Sequence, residues 1–356
     1  MMQEIQFVRA QTLKAKPQDE SKLGFGRIFT DHMFTMRYDR ENGWHDAKVE
    51  PYRALSLEPS CMVLHYGQAI FEGLKCYRRE DGGLQLFRPR DNFERMNTSA
   101  ERLSIPTFDV EDAMAGLLKL LEIEKDWAPS QRDTSLYIRP FIIATDPFVG
   151  VRASNTYLFC IILSPVGAYY ANGLAPVGIY VEDQYVRAVR GGLGFAKTAA
   201  NYAASLKAGE IAHQNGYAQV LWLDGVELKY VEEVGSMNIM FVLDGKIVTP
   251  ALNGSILSGI TRKSILQLAA DDGFEVEERR IAIEEVVRAA EEGRLQEAFG
   301  TGTAAVVSPV GELCWNGKKI ILSGGKIGPV TQRLYDELTG IQWGREEDRF
   351  GWVLKL

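Results

Sequence analysis

Between Gly191 and Tyr202 the chain reads Gly-Gly-Leu-Gly-Phe-Ala-Lys-Thr-Ala-Ala-Asn-Tyr, and no other run constrains the fold as strongly. Glycines at 191, 192 and 194 favour a sharply bent loop over the interior of a helix or strand. The small residues flanking Lys197 leave space for a bulky planar group against the backbone. A lysine that forms a Schiff base must lose its proton near neutral pH, which a desolvated or cation-flanked site permits. Lys197 is therefore the candidate attachment point, and the rest of the chain has to supply its site.

At 356 residues the chain exceeds one typical hydrophobic core, and two domains are expected. A net charge of -7 argues against nucleic acid or an anionic membrane as a partner held by overall charge. No run approaches the roughly 20 apolar residues of a membrane span, and the first sixteen residues lack the apolar core of a signal sequence. Cys61, Cys76, Cys160 and Cys314 form no close pair, and His32, His45, His65 and His213 are scattered. That pattern suits a reduced cytoplasm, with no metal site and with histidines in structural or surface roles.

Hydrophobic periodicity predicts an α+β chain. In the first half, strands are expected within Arg27 to Tyr38, at Leu84 to Phe87, Ser135 to Ala144 and Thr156 to Leu163. A helix through Phe93, Met96, Ala100 and Leu103 is expected to start on Asp91 as its N-cap, and a second helix covers Val110 to Trp127. In the second half, strands are expected at Val177 to Val181, Gln219 to Leu223, Met237 to Leu243 and Glu275 to Glu278. Helices are expected at Tyr202 to Gln214, Thr261 to Ala270, Ile283 to Glu292 and Gly328 to Thr339. The stretch from Ser164 to Gly173, punctuated by Pro and Gly yet carrying two adjacent tyrosines, reads as a linker that also walls a site.

Two nucleotide-binding patterns are incomplete, and of them a phosphate-loop nucleotide-binding protein built on Gly191 to Thr198 stays as a distant alternative. Gly191 to Thr198 has Ala196 where a phosphate loop requires glycine, and Gly300 to Ala305 is followed by Val306-Val307-Ser308-Pro309, a poor opening for a dinucleotide-binding helix. Gly259 and Thr261 open a predicted helix and suit an anion, with Gly302-Thr303-Ala304 as a second set of donors. Glu232-Glu233 abuts an apolar run. A carboxylate there can pair with a cationic ring nitrogen, although the pattern alone favours a solvated turn.

Taken together, Phe71-Glu72-Gly73-Leu74-Lys75, Tyr137-Ile138-Arg139-Pro140, Lys197 with Asn201-Tyr202, Glu233-Val234-Gly235-Ser236-Met237-Asn238, Gly259-Ile260-Thr261-Arg262 and Gly302-Thr303-Ala304-Ala305 resemble, in this order, the branched-chain amino-acid aminotransferases. The resemblance runs from about Phe25 to the Trp352 region. It implies a two-domain, fold-type IV enzyme that uses pyridoxal 5'-phosphate. Residues 1–165 would form the smaller N-terminal domain, 166–176 the interdomain loop, and 177–356 the larger domain carrying the cofactor lysine. By this likeness Lys197 holds the cofactor and shuttles the proton, Glu233 holds the pyridine nitrogen protonated, and Tyr202 meets O3'. Arg95, Ile260, Thr261 and Thr303 form the phosphate cup. Phe71, Tyr137 and Tyr202 wall the aliphatic pocket, Thr303 and Ala304 meet the α-carboxylate, and Arg139 assists with a second carboxylate. Tyr66, Val149 and Val151 match positions contributed by a neighbouring subunit, which implies at least a homodimer. The implied reaction moves an amino group between leucine, isoleucine or valine and 2-oxoglutarate. A D-amino-acid aminotransferase or an aminodeoxychorismate lyase shares the cofactor residues. The glycines of the 191–194 run are expected to give clearance for substrate and lysine.

Overall fold

A computed structural model describes residues 4–167 and 174–356. The chain forms two compact units, one of Met1–Tyr169, Ala196–Ala199 and Ile341–Leu356, the other of Tyr170–Phe195 and Ala200–Gly340. The ranges expected from sequence differ from these units in two places, because two stretches of the second half pair with strands of the first. Thr198 bridges Ile70, and the strand Val353–Lys355 pairs antiparallel with Leu84–Phe87. Of the expected linker, residues 168–173 lie outside the described residues, and the strand Tyr157–Val166 occupies its beginning.

The first unit is built on a nine-stranded sheet. Its centre is the pair Ser135–Ala144 and Tyr157–Val166, antiparallel from Ser135 opposite Val166 to Ala144 opposite Tyr157. His32–Asp39 and Gly43–Pro51 extend it on one side, Leu74–Arg78 and Leu84–Phe87 on the other, and Ala69–Phe71 also pairs with Ser135–Ala144. Phe34, Met36, Val49 and Phe159 share a buried core with Phe93 and Met96 of the helix Pro89–Arg102 and with Leu117 and Leu121 of the helix Val110–Glu124. The spacing of Met114, Leu117 and Leu121 gives the second helix its buried stripe. Asp109 caps it by accepting from the Glu111 amide at 2.8 Å.

The first helix corrects the expectation for Asp91. It starts at Pro89, whose fixed φ suits the first turn, and Asp91 lies inside that turn with its carboxylate on the Arg88 guanidinium. His32 is buried. Its Nε2 accepts from the Ala10 amide at 2.9 Å, and its Nδ1 faces Glu124. Cys76 and Cys160 are buried as well, and burial pushes both thiols up to about 12, so neither is a nucleophile at neutral pH.

The second unit has its own nine-stranded sheet, in the order Val231–Val234, Gln219–Leu223, Val177–Glu182, Val306–Trp315, Leu295–Gly302, Met237–Leu243, Lys246–Pro250 and Val276–Arg279, with Lys318–Ile321 beside Val306–Trp315. Val231–Val234 also pairs with Met237–Leu243, so the path from the first of these strands to the sixth closes on itself. Every residue of Met237–Leu243 is buried, as a strand enclosed on both faces requires. Leu295–Gly302 and Val306–Trp315 form a hairpin, which removes the helix that a dinucleotide fingerprint at 300–305 needs. Among the described residues no helix is long and apolar enough to cross a membrane.

Candidate active site

In the first unit, main-chain contacts fix Lys197 in place. Its amide donates to Ser99 Oγ at 2.9 Å, its carbonyl accepts from the Phe71 amide at 3.0 Å, and Thr198 Oγ1 donates to the Ala69 carbonyl at 2.8 Å. Lys197 therefore runs as a short extra edge along Ala69–Phe71, and its Nζ stands 5.1 Å from the centre of the Phe71 ring. The Arg139 guanidinium lies 4.8 Å from the same ring centre and donates from Nη2 to the Tyr137 hydroxyl at 3.0 Å. Strand alternation puts residues 137 and 139 on one face. Four predicted residues, Lys197, Phe71, Tyr137 and Arg139, thus converge.

The Phe-Glu-Gly sequence at 71–73 serves three purposes. Phe71 meets Lys197 and Arg139, and Gly73 gives way to Tyr137, because a Cβ at Gly73 would fall 2.1 Å from the phenol oxygen. Glu72 is wholly buried and pairs with Arg95 of the helix Pro89–Arg102. Tyr66 ends the helix Met62–Tyr66 and donates its hydroxyl to the Val149 carbonyl. Val149 and Val151 are 63% and 87% exposed, unusual for valine and consistent with a surface that meets something else.

The second unit corrects the solvated-turn expectation for Glu232-Glu233. Both lie in the strand Val231–Val234 and are buried. Glu233 accepts from the Leu257 amide at 2.7 Å on Oε1 and pairs through Oε2 with Arg187 Nε at 2.7 Å, while Glu232 accepts from Asn253 and Ser255. Burial of an unpaired carboxylate would be costly, and these partners offset it. The turn after Glu233 needs Gly235 for its φ of 55°, and a Cβ there would also displace the tip of Gln219, whose Oε1 would lie 2.2 Å away.

The 255–259 segment brings the next helix beside this strand. Asn238 donates to the Leu257 carbonyl at 2.9 Å, and a Cβ at Gly259 would sit 2.0 Å from Asn238 Oδ1. The helix Ile260–Asp271 then opens on Gly259 with no side-chain cap, and Thr261 is buried in its first turn. Thr303 and Ala304 form the half-exposed turn between Leu295–Gly302 and Val306–Trp315. That turn ends on Val306 at φ 62°, a strained angle for a β-branched residue and typical of functional loops. Tyr202 lies in the first turn of Ala199–Gln214. Gly194 has a different task from the one expected: a Cβ there would fall 1.9 Å from the Ser255 carbonyl oxygen, so its clearance is for backbone.

Sequence reasoning missed Arg187, Lys75 and the role of Glu72. Arg187 carries no local signal. Lys75 sits in register with Tyr137 across the sheet, and burial pushes its amine down to about 8.

The first unit carries a clamped lysine, and the second carries a buried strand-end carboxylate and an uncapped helix opening, features on which the sequence resemblance rested. In agreement, residues 69–313 match the amino-transferase class IV family model. The chain belongs to this family and, within it, to the branched-chain amino-acid aminotransferases. It is 57% identical over 345 residues to branched-chain-amino-acid aminotransferase 2 of Bacillus subtilis, covering 97% of this chain and 95% of the relative. Among solved structures, the branched-chain amino acid aminotransferase of Escherichia coli matches with TM-score 0.76 and 29% identity, over 91% of this chain and 98% of that one. A second branched-chain amino acid aminotransferase, the T.th. enzyme complexed with N-(5'-phosphopyridoxyl)-L-glutamate, matches with TM-score 0.72 and 26% identity, over 90% and 97%.

Proposed function

We propose that this aminotransferase exchanges the amino group between L-leucine, L-isoleucine or L-valine and 2-oxoglutarate, with pyridoxal 5'-phosphate held on Lys197. The observation that carries the reading is the main-chain clamp that fixes Lys197 against Phe71, beside Tyr137 and Arg139. The phosphopyridoxyl-glutamate complex of the T.th. enzyme supports the cofactor class and the second substrate.

The residues fit the cofactor. The uncapped start of Ile260–Asp271 leaves first-turn amides without partners inside the helix, and the helix dipole favours a phosphate there. When bound, the cofactor supplies an aldehyde and a cationic ring that accepts the electron pair left as the substrate Cα–H proton departs. Lys197 Nζ would carry it and, once the substrate amine has taken its place and freed the lysine, would move that proton. Glu233 holds a proton at the ring nitrogen and the Tyr202 hydroxyl binds O3'. Arg95, Ile260, Thr261 and Thr303 hold the phosphate.

Phe71, Tyr137 and Tyr202 wall the side-chain pocket, where each buried methylene contributes about 0.8 kcal/mol. Thr303 and Ala304 bind the α-carboxylate, and Arg139 binds the distal carboxylate of glutamate. Tyr66, Val149 and Val151 complete the pocket of a second copy in a homodimer, a reading supported by the exposure of both valines. Four buried free thiols favour the cytoplasm.

An amino-donor panel with 2-oxoglutarate tests the substrate. Leucine, isoleucine and valine should turn over fastest, and faster turnover of D-alanine would overturn the choice. Borohydride reduction followed by peptide mapping should leave the cofactor on Lys197.

A further inference from the structure

We propose that Arg187 is a positioning residue that sets the proton shared by Glu233 and the cofactor's ring nitrogen on the ring. This rests on the cofactor reading given above and goes beyond it, because Arg187 is outside the set of residues that touch the cofactor in that reading.

The geometry is that of a fixed counter-ion. Arg187 Nε meets Glu233 Oε2 at 2.7 Å, with the two side chains 7% and 3% exposed. The guanidinium cannot swing away. Its Nη1 donates to the Ser255 carbonyl at 2.9 Å and to the Gly194 carbonyl at 3.3 Å, and its Nη2 donates to Gly194 at 3.3 Å. One side chain thereby ties together the strand carrying Glu233, the glycine loop that leads to Lys197, and the segment that leads to the helix Ile260–Asp271. Planar, always charged and furnished with several donors, arginine suits this task better than lysine.

The chemistry follows from the competition for one proton. Burial favours the neutral form of a carboxyl group, and a neutral acid beside a pyridine nitrogen leaves the ring uncharged. A guanidinium in contact with the carboxylate acts most strongly on that group, because Coulomb energy falls with distance. It stabilises the anion, so the proton moves along the hydrogen bond from the carboxyl oxygen to the ring nitrogen. No other bond is made or broken. The Leu257 amide, which donates to Glu233 Oε1, acts in the same direction. The result is the cationic ring on which the reaction depends.

The test uses the full-length enzyme loaded with pyridoxal phosphate labelled with nitrogen-15 in the ring. Wild type, Arg187→Gln and Arg187→Lys are compared by the ring-nitrogen NMR shift, by kcat and KM for L-leucine, and by circular dichroism for folding. The wild type and the lysine variant should show a protonated ring. A folded Arg187→Gln should show an unprotonated ring with kcat roughly 100-fold lower and KM within about threefold, since the loss falls on the transition state. A folded Arg187→Gln with a protonated ring and wild-type kcat overturns the proposal. So does an unprotonated ring in the lysine variant, which decides the matter if the glutamine variant does not fold. A wild-type enzyme that takes up no cofactor on Lys197 overturns the earlier reading instead, whereas cofactor uptake with a neutral ring overturns only the role of Arg187.

Discussion

Arg95 grips the carboxylate of Glu72 with both arms of its guanidinium, Nε on Oε1 and Nη2 on Oε2, each at 2.8 Å. The Gly73 amide adds a donor to Oε2 at 3.2 Å. A two-pronged pair of this kind fixes direction as well as charge. Glu72→Ala leaves a buried guanidinium without its anion and should cost about 3–5 kcal/mol in urea unfolding. If Arg95 binds phosphate, the same variant should also bind pyridoxal phosphate more weakly, measured by fluorescence titration. Unchanged cofactor affinity in a destabilised Glu72→Ala would remove Arg95 from the phosphate cup.

Lys197→Ala should keep the fold, because the clamp at this position uses the backbone amide and carbonyl. Turnover should fall by about 10⁴-fold or more, and borohydride should attach no cofactor to the chain. Retained transamination would place the chemistry on another lysine.

Lys75 makes a pH prediction. Its amine titrates at about 8 when folded, against 10.5 as the ordinary value, because burial disfavours the charge. Below about pH 8 both states are protonated and the buried charge costs on the order of 3 kcal/mol. Between about 8 and 10.5 the unfolded chain binds the extra proton, so stability contributed by this group rises with pH. Lys75→Met should therefore exceed the wild type in stability at pH 7, with the gap closing as pH approaches 10.5. A gap independent of pH would refute the assignment.

Gly194→Ala should destabilise the second unit by about 1–3 kcal/mol, because the added methyl meets backbone that cannot rotate away. Cofactor affinity should fall with it, since the displaced Ser255 precedes the helix proposed to bind phosphate. Differential scanning calorimetry and a cofactor titration check both.

Much of the architecture was legible in the chain. The strands Ser135–Ala144, Gln219–Leu223 and Met237–Leu243 match their apolar runs from end to end, and the helices at 110, 260 and 283 start within a residue of their expected positions. The ordered motifs pointed to the family. Strands such as Gly43–Pro51 and Val231–Val234 were missed, the first for its mixed polar composition and the second because paired glutamates look solvated.

What the sequence by itself determined is local: periodicity, turn residues and the types of side chain near Lys197, all encoded within a few residues of chain. Only the tertiary structure decided that Glu233 is buried against Arg187, that Glu72 answers Arg95, and that Lys197 runs along Ala69–Phe71. The physical reason is that a charge enters the interior only with a partner in place, and these partners come from distant segments whose meeting depends on how the whole chain is routed.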